Sequence, residues 1–176
     1  MKEKIKRFHI ISFLLVSILG TLLHFTYEWS GENTFVGFFS AVNESTWEHL
    51  KLIFFPMLLT TVIGYFYIGK ENEKYICGRT KGILAGIIFI ISFFYTYTGV
   101  LGENIAIIDI ASFFIGVIIA ELVSYNIINL ENYNCNKTIS ILSLILLFIC
   151  FITFTYNAPN LGIFKDPNAI IETCYL

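Results

Sequence analysis

The chain has 176 residues, 56% of them hydrophobic and 17% aromatic, with only 14% charged and a mean hydropathy of +0.74. That is too apolar for a water-soluble fold to conceal. A formal charge of -2 and a pI near 5.9 supply no basic face for nucleic acid. The four cysteines, Cys77, Cys135, Cys150 and Cys174, lack the paired spacing of a zinc module and imply no disulfide framework.

A hydrocarbon core of about 30 Å needs roughly 20 apolar helical residues. Five runs meet that length: residues 8–27, 46–69, 82–101, 105–128 and 138–156. Each is apolar nearly all round and too long for a strand, so the expected fold is all-α, a bundle of five transmembrane helices forming one domain over residues 1–176.

The first run follows Lys2, Lys4, Lys6 and Arg7, yet it is longer than the apolar part of a secretory signal and lacks a small-x-small cleavage site, so it reads as a retained anchor. An amino terminus inside the cell also places Lys70, Lys74, Arg79, Lys81 and Lys137 inside, leaving only Lys51 and Lys165 outside. The carboxy terminus is then outside, with residues 157–176 as an external tail. Cys77 and Cys135 fall in reduced cytoplasmic loops, and Cys174 is a lone external thiol. His9, in the inner flank, reads as an interfacial residue.

On the first run Ser17, Thr21, His24 and Glu28 share one helical face, and His24 and Glu28 are one turn apart. The stretch around residues 35–42 is an apolar patch expected at the membrane interface or folded back into it. The second run opens on Asn43-Glu44-Ser45-Thr46-Trp47-Glu48-His49-Leu50-Lys51, a dense polar segment beside a membrane. Its structural reading is a capping box from Ser45 to Glu48, with Trp47 anchored at the interface. That leaves Glu44, His49 and the His24 face without a structural role. Pro56 further along should bend this helix.

The third and fourth runs, joined by Gly102-Glu103-Asn104, form an antiparallel hairpin. Gly78, Gly82 and Gly86 on one side and Ser112, Gly116 and Ala120 on the other suit close backbone approach. Asp109 lies about 6 Å from the outer end of the fourth run. Glu121 lies roughly 18 Å further along and about 120° around the axis, a separate inner feature. Its expected role is a hydrogen bond to a neighbouring helix, or a carboxylate reaching the cytoplasmic interface, rather than a proton relay.

His24, Glu28, Asn43, Glu44, Glu48, His49 and Asp109 thus form the candidate ligand-binding group at the outer end, with His24, Glu28, Glu44 and His49 as candidate ligands of a divalent metal such as zinc or iron. No His-Glu-x-x-His or paired Glu-x-x-His pattern supports a particular metal chemistry, and no G-x-S-x-G elbow or phosphate loop is present. Whether the chain is an enzyme is left open.

The segments His24-Phe25-Thr26-Tyr27-Glu28-Trp29-Ser30-Gly31, Asn43 through Lys51, and Phe164-Lys165-Asp166-Pro167 resemble a family of small uncharacterised multi-span membrane proteins of Firmicutes. The resemblance spans nearly the whole chain and implies a bacterial origin and a multi-span topology. It carries over no catalytic or binding residue. The leading expectation is a multi-pass protein of the bacterial plasma membrane, surrounded by lipid, serving as an accessory, sensor or small-ligand binder with a ligand or membrane-protein partner. The alternatives are a membrane-embedded metal-dependent hydrolase, in which Glu44 or Glu48 activates a water, and proton- or ion-coupled transport using Asp109 and Glu121.

Overall fold

The computed structural model describes residues 1–167, so the expectation for Cys174 lies outside the described residues. The described chain is helical: α1 (Lys2–Trp29), a single turn α2 (Thr34–Gly37), α3 (Thr46–Tyr67), α4 (Tyr75–Leu101), α5 (Ala106–Asn129) and α6 (Lys137–Tyr156). Five of these, all but α2, are long and apolar enough to cross a membrane. They match the five apolar runs, but α1 and α4 begin six and seven residues earlier than the charge pattern suggested. Basic side chains at a helix end do not stop the helix, because their stems lie along it while their heads reach for water.

The α4–α5 hairpin is the most extensive helix pairing. A Cβ added at Gly82 would stand 2.3 Å from the Ala120 carbonyl oxygen, and one at Gly86 would stand 2.8 Å from that of Gly116, so these backbones touch directly where the small-residue stripes predicted. Gly102 closes α4 in the left-handed conformation, φ 80°, a cap that glycine adopts without steric cost. Pro56 does not interrupt α3. It cannot donate to the Leu52 carbonyl, and that carbonyl faces Gly20, where a Cβ would come within 2.5 Å of it. The close approach of α1 to α3 therefore falls on the turn that proline leaves open.

The core, around Val16, Ile53, Phe54, Met57, Ile83, Val117 and Phe151, lies between the helices. Large apolar side chains such as Ile18, Phe66, Ile107 and Leu146 point outward. In water that surface would be unstable, and against lipid it is the expected exterior.

Two features of the basic end depart from expectation. Cys77 and Cys135 are paired, with Cα atoms 6.0 Å apart. The α5–α6 loop folds over the start of α4, where Lys74 Nζ donates to the Leu130 and Glu131 carbonyls, and this brings Cys135 within bridging distance. His9 is buried rather than interfacial, because α1 runs on through it to Lys2.

At the opposite end, α1 closes on Ser30, and Gly31 and Glu32 turn the chain back at φ 68° and 60°. Residues 30–45 then fold across the helix ends. Fully buried Ser40 fastens this segment to α1: its hydroxyl donates to the Leu23 carbonyl and accepts from the Tyr27 amide at 3.0 Å.

Candidate functional site

The polar run of residues 43–51 divides by where each side chain lands on the first turns of α3. Ser45 is the N-cap, its hydroxyl accepting from the Glu48 amide at 3.4 Å. The other half of the expected capping box is missing. Asn43 Oδ1, not Glu48, takes the Ser45 amide at 2.9 Å. Trp47 packs on Phe151 and Phe164, with ring centroids 4.6 and 4.9 Å away.

Glu48 is drawn inward. Its Oε2 lies 2.5 Å from Lys51 Nζ and accepts the Val42 amide at 3.0 Å, with both side chains buried. Lys51 further donates to the Gly37 carbonyl at 2.8 Å and to Thr155 Oγ1 at 3.1 Å. One buried ion pair thus ties α3, the 30–45 segment and α6 together, with most of its donors and acceptors matched, as a desolvated pair requires. Glu48 therefore faces away from the other acidic and imidazole side chains and is bound into this pair. Lys51, read from the sequence as an external charge, is fully buried.

Glu44 and His49 face the other way, toward α1. Glu44 Oε2 lies 3.4 Å from His49 Nε2 and 3.9 Å from His24 Nε2, and the two imidazoles meet edge to face at 5.2 Å. Side-chain exposures of 44%, 30% and 34% for Glu44, His49 and His24 leave this group open at its rim. His49 Nδ1 lies 3.0 Å from the Ser45 carbonyl, and the Glu44 amide donates to Asp166 Oδ2 at 3.2 Å. The hydrogen bond with His49 holds the Glu44 carboxyl below its ordinary pKa.

Asp109 stands near enough to His49 and Glu44 to interact with both electrostatically. Its carboxylate accepts the Tyr97 hydroxyl, which itself accepts the Ile105 amide at 3.3 Å. Glu28 does not join the group. Although it shares a helical face with His24, it is exposed, and among the described residues it pairs with no cation. The expected set of seven thus resolves into His24, Glu44 and His49 at the centre, Asp109 beside them, Asn43 in the cap, Glu48 in the staple and Glu28 outside.

The inner feature is a second network. Glu121 Oε2 lies 2.7 Å from Arg79 Nη1 and 2.5 Å from His9 Nδ1, while Oε1 accepts Ser12 Oγ at 2.6 Å. Arg79, fully buried, also donates to Thr61 Oγ1 at 3.0 Å, Thr60 Oγ1 at 2.7 Å and the Met57 carbonyl at 3.3 Å. Four helices, α1, α3, α4 and α5, meet on this one guanidinium. The sequence placed Arg79 in an inner flank and missed it as Glu121's partner. The four-residue glycine stripe already ran back to Gly78, ahead of the run's start at residue 82, and that signal could have carried α4 through Arg79.

Five spanning-length helices, interior polar networks and an apolar exterior define the class: an all-helical protein suited to a membrane. Within that class the chain belongs to a family of unknown function, DUF6512, whose model matches residues 1–170. No curated protein and no solved structure matches it.

Proposed function

We propose that this is a multi-pass protein of a bacterial plasma membrane, an accessory, sensor or small-ligand binder whose site is the His24–Glu44–His49 group at the outer face. The amino terminus lies inside and the carboxy terminus outside in this reading. The single observation that carries it is a difference in commitment. The ionisable side chains buried between the helices, among the described residues, are bound to one another: Glu48 to Lys51, and Glu121 to Arg79 and His9. Among the described residues the His24–Glu44–His49 group instead sits half-exposed, with its donor atoms convergent from two helices and a loop. Proteins retain such groups at a membrane face for what they bind.

The orientation rests on Lys2, Lys4, Lys6, Arg7, Lys70, Lys74, Lys81 and Lys137 at one end of the bundle. A hydrolase needs a carboxylate free to activate water, whereas Glu48 is bound to Lys51 and Glu44 faces His49 at 3.4 Å. A transport role needs Glu121 released from Arg79, His9 and Ser12.

The test is stability. His24→Ala/His49→Ala in purified protein should unfold within a few degrees of the unsubstituted chain, since half-exposed side chains outside the packing contribute about 0.5 kcal/mol or less. A collapse of the fold would make these histidines structural and defeat the binding reading.

A further inference from the structure

We propose that His24 Nε2, a Glu44 carboxylate oxygen and His49 Nε2 bind one divalent transition-metal ion of the zinc or ferrous class. The proposal rests on the outer group being a binding site and names its ligand. The three donor atoms lie within 4.8 Å of one another. Ligands held at about 2.0–2.2 Å in tetrahedral geometry stand about 3.4 Å apart. The Glu44–His49 separation of 3.4 Å already has that value, and the Glu44–His24 separation of 3.9 Å needs a contraction within side-chain reach.

The second observation is the hydrogen bond behind His49. The Ser45 carbonyl only accepts, so at 3.0 Å it places the imidazole proton on Nδ1. Nε2 then faces the Glu44 carboxylate at 3.4 Å, where a metal ion takes the place of the shared proton, and a carbonyl fixing the far nitrogen is the usual support of a metal-bound histidine. Glu44 is held in turn by its own amide donating to Asp166 and by the Asn43–Ser45 cap that precedes α3. The backbone thus fixes the His49 ring and the loop that carries Glu44.

Donor chemistry selects the metal. Two imidazoles and one carboxylate suit zinc or ferrous iron, whereas magnesium and calcium take all-oxygen shells. Three protein ligands leave a coordination position open at the exposed rim, where water or a small anion completes the shell.

The experiment uses full-length protein in detergent with Cys150→Ser and Cys174→Ser, stripped with a chelator and titrated with zinc alone, then with cobalt(II) as a spectroscopic probe. One saturable equivalent of zinc is expected, together with the visible absorption of a four- or five-coordinate cobalt site, and magnesium should not compete. Glu44→Gln and His49→Ala should each weaken binding tenfold or more and abolish the cobalt spectrum while the unfolding temperature without metal stays unchanged. Absence of stoichiometric zinc binding overturns the proposal, as does equal binding in His24→Ala/Glu44→Gln/His49→Ala. Should the histidine variants remain folded yet zinc fail to bind, the metal is excluded and the binding reading stands. Should they unfold, both fail; Glu44→Gln, half-exposed and isosteric, keeps the zinc measurement decisive in that case.

Discussion

Lys51 and Arg79 are both fully buried in an apolar bundle, where a charge survives only if its partners are complete. Removing one partner strands the other. Glu48→Gln, or Lys51→Met alone, should therefore cost about 3–5 kcal/mol, whereas Glu48→Gln/Lys51→Met should recover most of the loss. Chemical unfolding in micelles measures this, and an additive double variant would mean that the two side chains do not stabilise as a pair. Arg79 goes further, because its donors reach Glu121, Ser12, Thr60, Thr61 and the Met57 carbonyl in one plane. Lysine keeps the charge but not that fork. Arg79→Lys should unfold nearly as easily as Arg79→Ala, and full retention of stability in the lysine variant would show that charge alone matters. These pairs were only partly legible in the sequence. The Glu48–Lys51 spacing of three is a helical contact, yet both residues had been placed by membrane depth, which ignores the 30–45 segment folding over them. His24 with Glu28 had the better sequence spacing and still does not pair, because His24 turns toward Glu44 while Glu28 is exposed.

Among the helices, the hairpin was the most legible feature, since a repeat of small residues every fourth position leaves a ridge with no side chains and a second helix fills it. The consequence is position-specific. Gly82→Ala puts a methyl group 2.3 Å from the Ala120 carbonyl oxygen, a backbone atom that cannot rotate away. It should cost about 1–3 kcal/mol, the range for overpacking. Gly99→Ala, on the same helix with nothing within 4 Å of the added carbon, should be neutral or gain up to about 1 kcal/mol from lost unfolded-state freedom. Thermal unfolding of the two variants side by side tests the contact, and equal effects would place the hairpin interface elsewhere. What the sequence could not give at this scale was helix length. The starts of α1 and α4 were set by charge, and the seven residues so omitted from α4 contain Cys77 and Arg79.

For the whole molecule, two signals about orientation point in opposite directions. Eight lysines and arginines lie at the end where α1 and α4 begin, which argues for the cytoplasm. The Cys77–Cys135 pair lies at that same end, and disulfides persist on the oxidising side. The charges carry more weight, because each bears on insertion, whereas a single pair brought together by loop folding can exist as two thiols in a reducing compartment. Placing Cys in the two connecting regions decides the matter. In cells expressing the chain with all of its native cysteines replaced by serine, Glu32→Cys should react with a membrane-impermeant maleimide and Glu71→Cys should react only after the membrane is opened. The reverse pattern would put the basic end outside, make the disulfide a resident of the oxidising face, and move the His24–Glu44–His49 group to the cytoplasm. There it would draw on the cell's internal metal pool rather than on the medium, so this labelling also fixes which supply of ions the group can sample.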